Sequence, residues 1–324
     1  MEVRAVISGE WSRILRHHYG MRWSARTTRV KHHGEHHFVR TLRRRYVLSR
    51  YGFSTEVPHY RHQFHIMTAL REAGFVLACP PVDTVSGDPA VERADDYWIL
   101  RAFTPHDGFE SWHDERTVIS SARTLAALHE TGVHCPAPVI GPADASDALN
   151  WSVVRVMDSF DLLLARSGHE RLPEDDRREF RTAVETLRAT AAEVLPSAEE
   201  AGLSGVTHGD YRPANVLVRG REVVNVLDWE RSRHDHHLHD AAFAALQFMV
   251  TCPCPCRRTG DVAATRLFMR EYLTARRVRL PETVAWMLGF VVVRRMLLNG
   301  RTPERVRLFR SLGRTGLTDP HSWK

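Results

Sequence analysis

The segment THGDYRPANVLVRGREVVNVLDWE, residues 207–230, constrains this chain more than any other. Asp210 and Asn215 stand five residues apart with Arg212 between them, and an apolar run follows at once. That run, Val216–Val218, reads as a strand that turns at Gly220 and returns as Val223–Leu227. A hairpin brings its two outer ends together, so Asn215 and Asp228 are expected side by side. Two hard oxygen ligands at one hairpin mouth suit Mg²⁺ carrying phosphates. Asp210 adds a carboxylate free to act on a hydroxyl, and Arg212 adds a cation able to reach a transferring phosphoryl group. Phosphoryl transfer needs this set, because its catalysis is mostly positioning and neutralisation of charge spread over three oxygens. His208-Gly209-Asp210 alone reads as an ordinary turn capped by Asn215. The return strand ending in Asp228 is what makes the three groups a candidate site.

Around this segment the chain divides by pattern. Thr28–Val30 and Phe38–Leu42 are short strand candidates flanking KHHGEHH, with Gly34 at the turn. A helix is expected over Tyr60–Ala73, with Ile66, Met67 and Leu70 on one face and Gly74 beyond its end. YWILRAF, residues 97–103, reads as a buried strand. After Pro105 the pattern turns helical. Thr117–Thr131 repeats Val118, Ala122, Leu125, Ala126 and His129 at helical spacing. Pro173–Leu195 opens on Glu174, Asp175 and Asp176, which suit the positive end of a helix dipole, and Pro196 is expected to end it. Pro281–Asn299 is a further helix. The expectation is a strand-rich lobe over residues 1–104 and a larger helical lobe over 105–324 with one internal hairpin.

Composition excludes several function classes. The longest apolar run, Val284–Val293, is too short to span a bilayer, and residues 1–20 lack the apolar core of a secretory signal. A cytoplasmic protein without membrane partners is expected. Five cysteines, an odd number, argue against a disulfide framework. The net charge of +6 is uneven: residues 1–50 hold twelve Lys/Arg against three Asp/Glu. No zinc-finger spacing, basic zipper or RNP-like aromatic motif accompanies that charge, so it reads as basic surface and not as a nucleic-acid site. CPCPC at 252–256 and the histidines of 234–239 invite a zinc reading, but a stiff Pro-rich loop of reduced thiols is the better one.

HGDYRPAN followed by VLDWE resembles the catalytic and metal-binding loops of the aminoglycoside phosphotransferase and choline kinase superfamily. TTRVKHHGEHHFVRTL is similar to that family's hairpin under the nucleotide, DYWILRAF to its hinge strand, RTLAALHETG to its LA-x-LH helix, and LHDAAFA to the helix after the metal aspartate. The resemblance covers residues from about 20 to 250. It implies an α+β, bilobal protein-kinase-like fold with ATP and Mg²⁺ as cofactors. It implies Asp210 as the group orienting the acceptor hydroxyl, Arg212 as the γ-phosphate contact, and Asn215 and Asp228 as metal ligands. It places Arg101, Ala102 and Phe103 on the nucleotide hinge.

Two departures from the family pattern stand out. The family's third-strand Lys, paired to a helix Glu, has no counterpart here. HFVRT offers Arg40 for that strand, and Gln63 takes the helix position, with Glu56 less well aligned. The phosphate-cradling loop is glycine-poor, leaving the backbone around Ser24 to face the phosphates. Residues 230–280 hold nine Arg against five Asp/Glu, which suits a neutral or anionic acceptor better than a polycationic aminoglycoside. Three readings stay open: a small-molecule kinase, a peptide Ser/Thr kinase acting beside a partner enzyme, and a pseudokinase scaffold.

Overall fold

The computed structural model describes residues 9–23, 29–31, 34–52, 58–107, 114–135, 174–250, 262–298 and 317–323. An antiparallel sheet of order β1-β2-β3-β5-β4 forms the first lobe, from β1 (Arg29–Lys31), β2 (Glu35–Arg40), β3 (Arg45–Gly52), β4 (Val91–Glu92) and β5 (Asp96–Ala102). Alternation along the strands gives the sheet two faces. His37, Val39, Leu48, Trp98 and Leu100 point outward and are covered by helix α1 (Glu10–His18) through Trp11, Ile14 and Leu15. Ser49, Ile99 and their neighbours point inward, where helix α2 (Pro58–Glu72) supplies Phe64, Ile66, Met67 and Leu70. Helix α1 was not legible as a helix: nine residues with three buried apolar side chains give little periodic signal, and its partner surface is the sheet.

The second lobe is helical around two small hairpin-like sheets. Helix α3 (Glu115–Gly132) starts at Asp114, whose side chain accepts a hydrogen bond from the Arg116 backbone N–H at 2.8 Å. Helix α4 (Glu174–Glu200) passes through Pro196 and ends later than the sequence suggests. Phe180, Val184, Leu187, Ala191 and Leu195 form its buried stripe. Strand β6 (Ser204–Thr207) pairs with β9 (Arg233–His236), and β7 (Val216–Arg219) with β8 (Glu222–Val226). Helices α5 (His237–Val250), α6 (Val262–Arg276) and α7 (Pro281–Leu298) complete it: α6 packs on α3, α7 on α4, and α5 on both α6 and α7. Val284–Val293 is the middle of α7 and almost wholly buried, as its length predicts. Among the described residues no helix is long and apolar enough to cross a membrane.

Hydrogen bonds tie the sheet and the segment leaving it to the β7–β8 hairpin at two places. After β5, the Asp107 N–H donates to the Val218 carbonyl at 2.7 Å, and Asn225 Nδ2 donates to Thr104 Oγ1 at 2.8 Å. Beyond α2, Ala78 forms a parallel bridge with Val226, whose N–H donates to the Leu77 carbonyl at 3.2 Å.

Candidate active site

The loop between β6 and β7 is held from below by one carboxylate. Asp240, on the first turn of α5 and 2% exposed, accepts from the His208 N–H at 2.8 Å and the Gly209 N–H at 3.0 Å. His129 of α3 lies 3.1 Å from the same carboxylate through Nε2, and its Nδ1 meets the Tyr272 hydroxyl at 2.7 Å. The chain of donors is consistent with one tautomer: Tyr272 O–H to Nδ1, then Nε2–H to Asp240. Burial works against the Asp240 charge, but the hydrogen bonds prevail, the His129 contact foremost, and draw its pKa down to about 2. Burial in turn holds His129 neutral, its pKa below the ordinary imidazole value.

Gly209 is glycine for two reasons. Its φ is +77°, and a Cβ there would stand 2.3 Å from the Arg231 carbonyl oxygen. The loop can therefore lie directly on the segment that follows β8. His208 ties the same two segments: its Nε2 donates to the Leu227 carbonyl at 2.9 Å, and its Nδ1 accepts from the Asp210 N–H at 3.2 Å. Burial depresses the His208 pKa, so the ring acts as a neutral strut and not as a proton carrier.

Asp210 and Asn215 are brought together directly. Asn215 ends a short 3₁₀ turn (Pro213–Asn215), and its Nδ2 donates to the Asp210 carbonyl at 2.9 Å and to Asp210 Oδ2 at 3.1 Å. Those two acceptors fix which end of the amide is nitrogen and turn Oδ1 the other way, available as a ligand. The Asn215 carbonyl accepts from the Leu227 N–H at 2.7 Å, so Asp228 follows at the same hairpin mouth. Asp228 adopts left-handed backbone angles, φ 64° and ψ 63°, which aspartate tolerates at modest cost, and it is exposed. Trp229 behind it is buried, its Nε1 donating to the Val226 carbonyl at 2.8 Å. Arg212 Nε lies 3.0 Å from Asp210 Oδ2. Burial raises the Asp210 pKa, and Asp228 adds to the rise, while Arg212 and Arg231 oppose it. Asp228 and Arg231 thus both act within the electrostatic field of Asp210.

The sheet side of the cleft departs from expectation. Among the described residues HFVRT is the second strand and not the third, and Arg40 is exposed at its far end, in register with Arg45. That end lies beside the hinge: Arg45 caps the Phe103 ring at 4.4 Å, and its carbonyl accepts from the Phe103 N–H at 2.9 Å. Arg40 therefore stands away from the Asn215–Asp228 end of the hairpin, at the opposite end from where its expected α- and β-phosphate role calls for a cation. Ala102 is exposed and Phe103 half-buried at the hinge, while Arg101 projects between the sheet and α2. Ser24, Glu56 and the CPCPC run lie outside the described residues. Among the described residues no group of three or more His, Cys, Asp or Glu is arranged to hold a metal ion.

The sequence reading missed the roles of Asp240 and Tyr272 and the closeness of Arg231 to Asp210. For His129 a signal existed: it is the one titratable residue on the apolar stripe of α3.

Residues 29–284 match the phosphotransferase enzyme family. A 115-residue stretch is 30% identical to homoserine kinase of Methylobacillus flagellatus, covering 36% of this chain and about a third (33%) of that relative. Solved structures share the fold, among them the following three. Amicoumacin kinase, bound to AMP-PNP, Ca²⁺ and Ami, superposes with a TM-score of 0.61 at 12% identity over 95% of this chain and 92% of its own. An aminoglycoside phosphotransferase of Alicyclobacillus acidocaldarius gives 0.62 at 16% identity, over 92% and 90%. A microcompartment-associated aminopropanol kinase gives 0.60 at 17%, over 95% and 94%.

Proposed function

The chain belongs to the phosphotransferase enzyme family, and from that premise we propose that it moves the γ-phosphate of ATP to an alcohol hydroxyl of a small molecule. The observation that carries this reading is the Asp210–Asn215 pair. One amide nitrogen holds the Asp210 carboxylate, and the Asn215 backbone carbonyl accepts from the N–H of Leu227, the residue before Asp228. Asn215 Oδ1 and the Asp228 carboxylate are two hard oxygen donors of the kind Mg²⁺ takes alongside substrate phosphates. When bound there, the ion supplies charge neutralisation for the phosphate oxygens.

Asp210 would accept the hydrogen bond of the acceptor hydroxyl and aim its lone pair at the γ-phosphorus. The new O–P bond forms as the bond to the β-phosphate oxygen breaks, the hydroxyl proton passes to Asp210, and ADP leaves. A raised pKa makes that carboxylate a better late proton acceptor than an exposed aspartate. Arg212 would offset charge on the transferring group. Residues 1–104 would form the nucleotide lobe and 105–324 the acceptor lobe.

The acceptor is proposed to be neutral or anionic. Arg212 and Arg231 both bear on Asp210, and a polycation would meet them at the hydroxyl-orienting group. Homoserine kinase and aminopropanol kinase are named for small hydroxylated acceptors; hydroxy-amino acids, net-neutral zwitterions, therefore head the panel to test, with cationic amino alcohols as the contrasting arm and antibiotics beside them. The peptide alternative gains nothing from these relatives. The test is ADP release across that panel with Asp210→Asn beside wild type. A loss of roughly 10²–10⁴ in turnover is expected, with nucleotide affinity kept. Turnover by Asp210→Asn at the wild-type rate would refute the reading.

A further inference from the structure

The inner face of the first-lobe sheet has two ends. At one, β5 runs into the hinge residues that bond to Val218 and Asn225. At the other, α2 packs on the turn Trp229–Arg231 that follows Asp228, with His62 Nε2 3.1 Å from the Ser232 carbonyl, and Tyr97 lies within the electrostatic field of Glu230. The second end therefore faces the metal-ligand mouth of the hairpin. A kinase needs a cation there to hold phosphates. The third strand offers none: its inward positions at that end are Ser49, hydrogen-bonded to His36 Nδ1 at 2.9 Å, and Tyr51. Arg50 points to the opposite face, with Asp96, Glu10 and Glu35 around it.

Arg101 is placed differently. It starts opposite Val47 on the inner face, and its guanidinium reaches along the sheet to the Tyr51 hydroxyl, 3.5 Å from Nη1. It lies 5.9 Å from the centre of the Phe64 ring of α2. Tyr51 stacks on Tyr97 at 5.4 Å, so the guanidinium end sits at the Glu230 end of the cleft. Burial pushes the Tyr97 phenol up to about 12, and Arg101 tempers that rise, which again puts the cation close by. Among the described residues Arg101 has no carboxylate partner. A half-buried cation held by aromatic faces and one hydroxyl lacks the counter-charge its desolvation calls for. Arg50, one strand away, has three carboxylates around it.

We propose that Arg101, coming from the fifth strand, is the phosphate-holding cation of the nucleotide cleft, in place of a third-strand lysine. The guanidinium would donate to the α- or β-phosphate oxygens, which supply its missing counter-charge, in fork geometry that lysine cannot give. This rests on the ATP-dependent reading above.

Calorimetric titration of the full chain with ADP and with adenosine, Mg²⁺ present, tests it without turnover. Arg101→Met should weaken ADP binding roughly ten- to hundredfold and leave adenosine binding within about twofold, as loss of a charge-assisted contact implies. Arg101→Lys should recover part of the loss. Arg101→Gln, polar and of similar reach but uncharged, should behave as Arg101→Met and serves if that variant does not fold. ADP affinity unchanged in both neutral variants overturns the proposal. So does equal loss of ADP and adenosine, or a larger loss in Arg40→Met. Wild type that binds no ADP would overturn the ATP reading itself, and this proposal with it.

Discussion

Replacing Asp240 by asparagine exchanges one heavy atom and should loosen the loop between β6 and β7. The carboxylate now accepts three N–H groups: His208 and Gly209 from the loop backbone, and His129 Nε2. Asparagine keeps one oxygen and puts an NH₂ where the other was. That NH₂ then faces at least one backbone N–H, donor against donor, in a site that is 2% exposed. A hydrogen bond to a charged acceptor is worth about 1.5–3 kcal/mol, and an orphaned buried donor costs about 1–3 kcal/mol. Part of this is recoverable, because His129 can change tautomer and accept from the new NH₂ at Nε2. The backbone donors have no such option. A net loss of about 3–4 kcal/mol is expected, a large fraction of a usual stability of about 5–15 kcal/mol. Urea unfolding followed by fluorescence reads it as a lower midpoint at constant slope. Turnover of the folded fraction should fall as well, because His208 and Gly209 set the position of Asp210. A loss under about 1 kcal/mol with full turnover would refute the account of Asp240 as the anchor of this loop.

Gly209→Ala should cost more activity than its single methyl suggests. Its Cβ would fall 2.3 Å from a backbone oxygen in a left-handed residue, so the loop must shift off the segment after β8. A turnover loss of at least about tenfold is expected, with loss of soluble protein as the structural readout; wild-type kinetics would contradict the geometry. Stability should fall steeply on the acid side. His129, His208 and His237 are all buried with depressed pKa values, so the unfolded chain binds protons that the folded chain refuses. Their contribution is fully present above about pH 6.5 and fades below it, at up to about 4 kcal/mol per pH unit for three such groups. Asp240, depressed to about 2, adds stability that is lost only as pH falls from about 4 to about 2. Urea midpoints flat from pH 7 to 5 would contradict this.

The site was more legible than the sheet that covers it. Asp210, Asn215 and Asp228 come from one continuous segment, and a hairpin has few ways to fold, so local pattern was enough to bring them together. The cation over the cleft depends on strand order and on which face each residue takes. A strand counted one place too early sets HFVRT, and Arg40 with it, where RYVLSRYG stands: β1 and α1 are short and weakly periodic, and β3 carries no strong strand pattern of its own. Asp240 and His129 lie far apart in sequence, and only the packing of α3 against α5 and α6 makes them one network. Pro196 misled because a proline near the end of a long helix removes few bonds when the preceding turns are buried.

The two seams between the lobes have a mechanical consequence. One runs from the hinge to the β7–β8 hairpin, the other from Leu77–Ala78 to Val226. Between them α2 packs on the turn Trp229–Arg231, and Phe75 meets the Trp229 ring, so the sheet is seated on a continuous apolar face and not on two points. Any swing of the sheet should then pivot on that face, with the two seams as its edges. The His62 Nε2 contact to the Ser232 carbonyl, 3.1 Å long and outside both seams, is the latch such a swing would have to release.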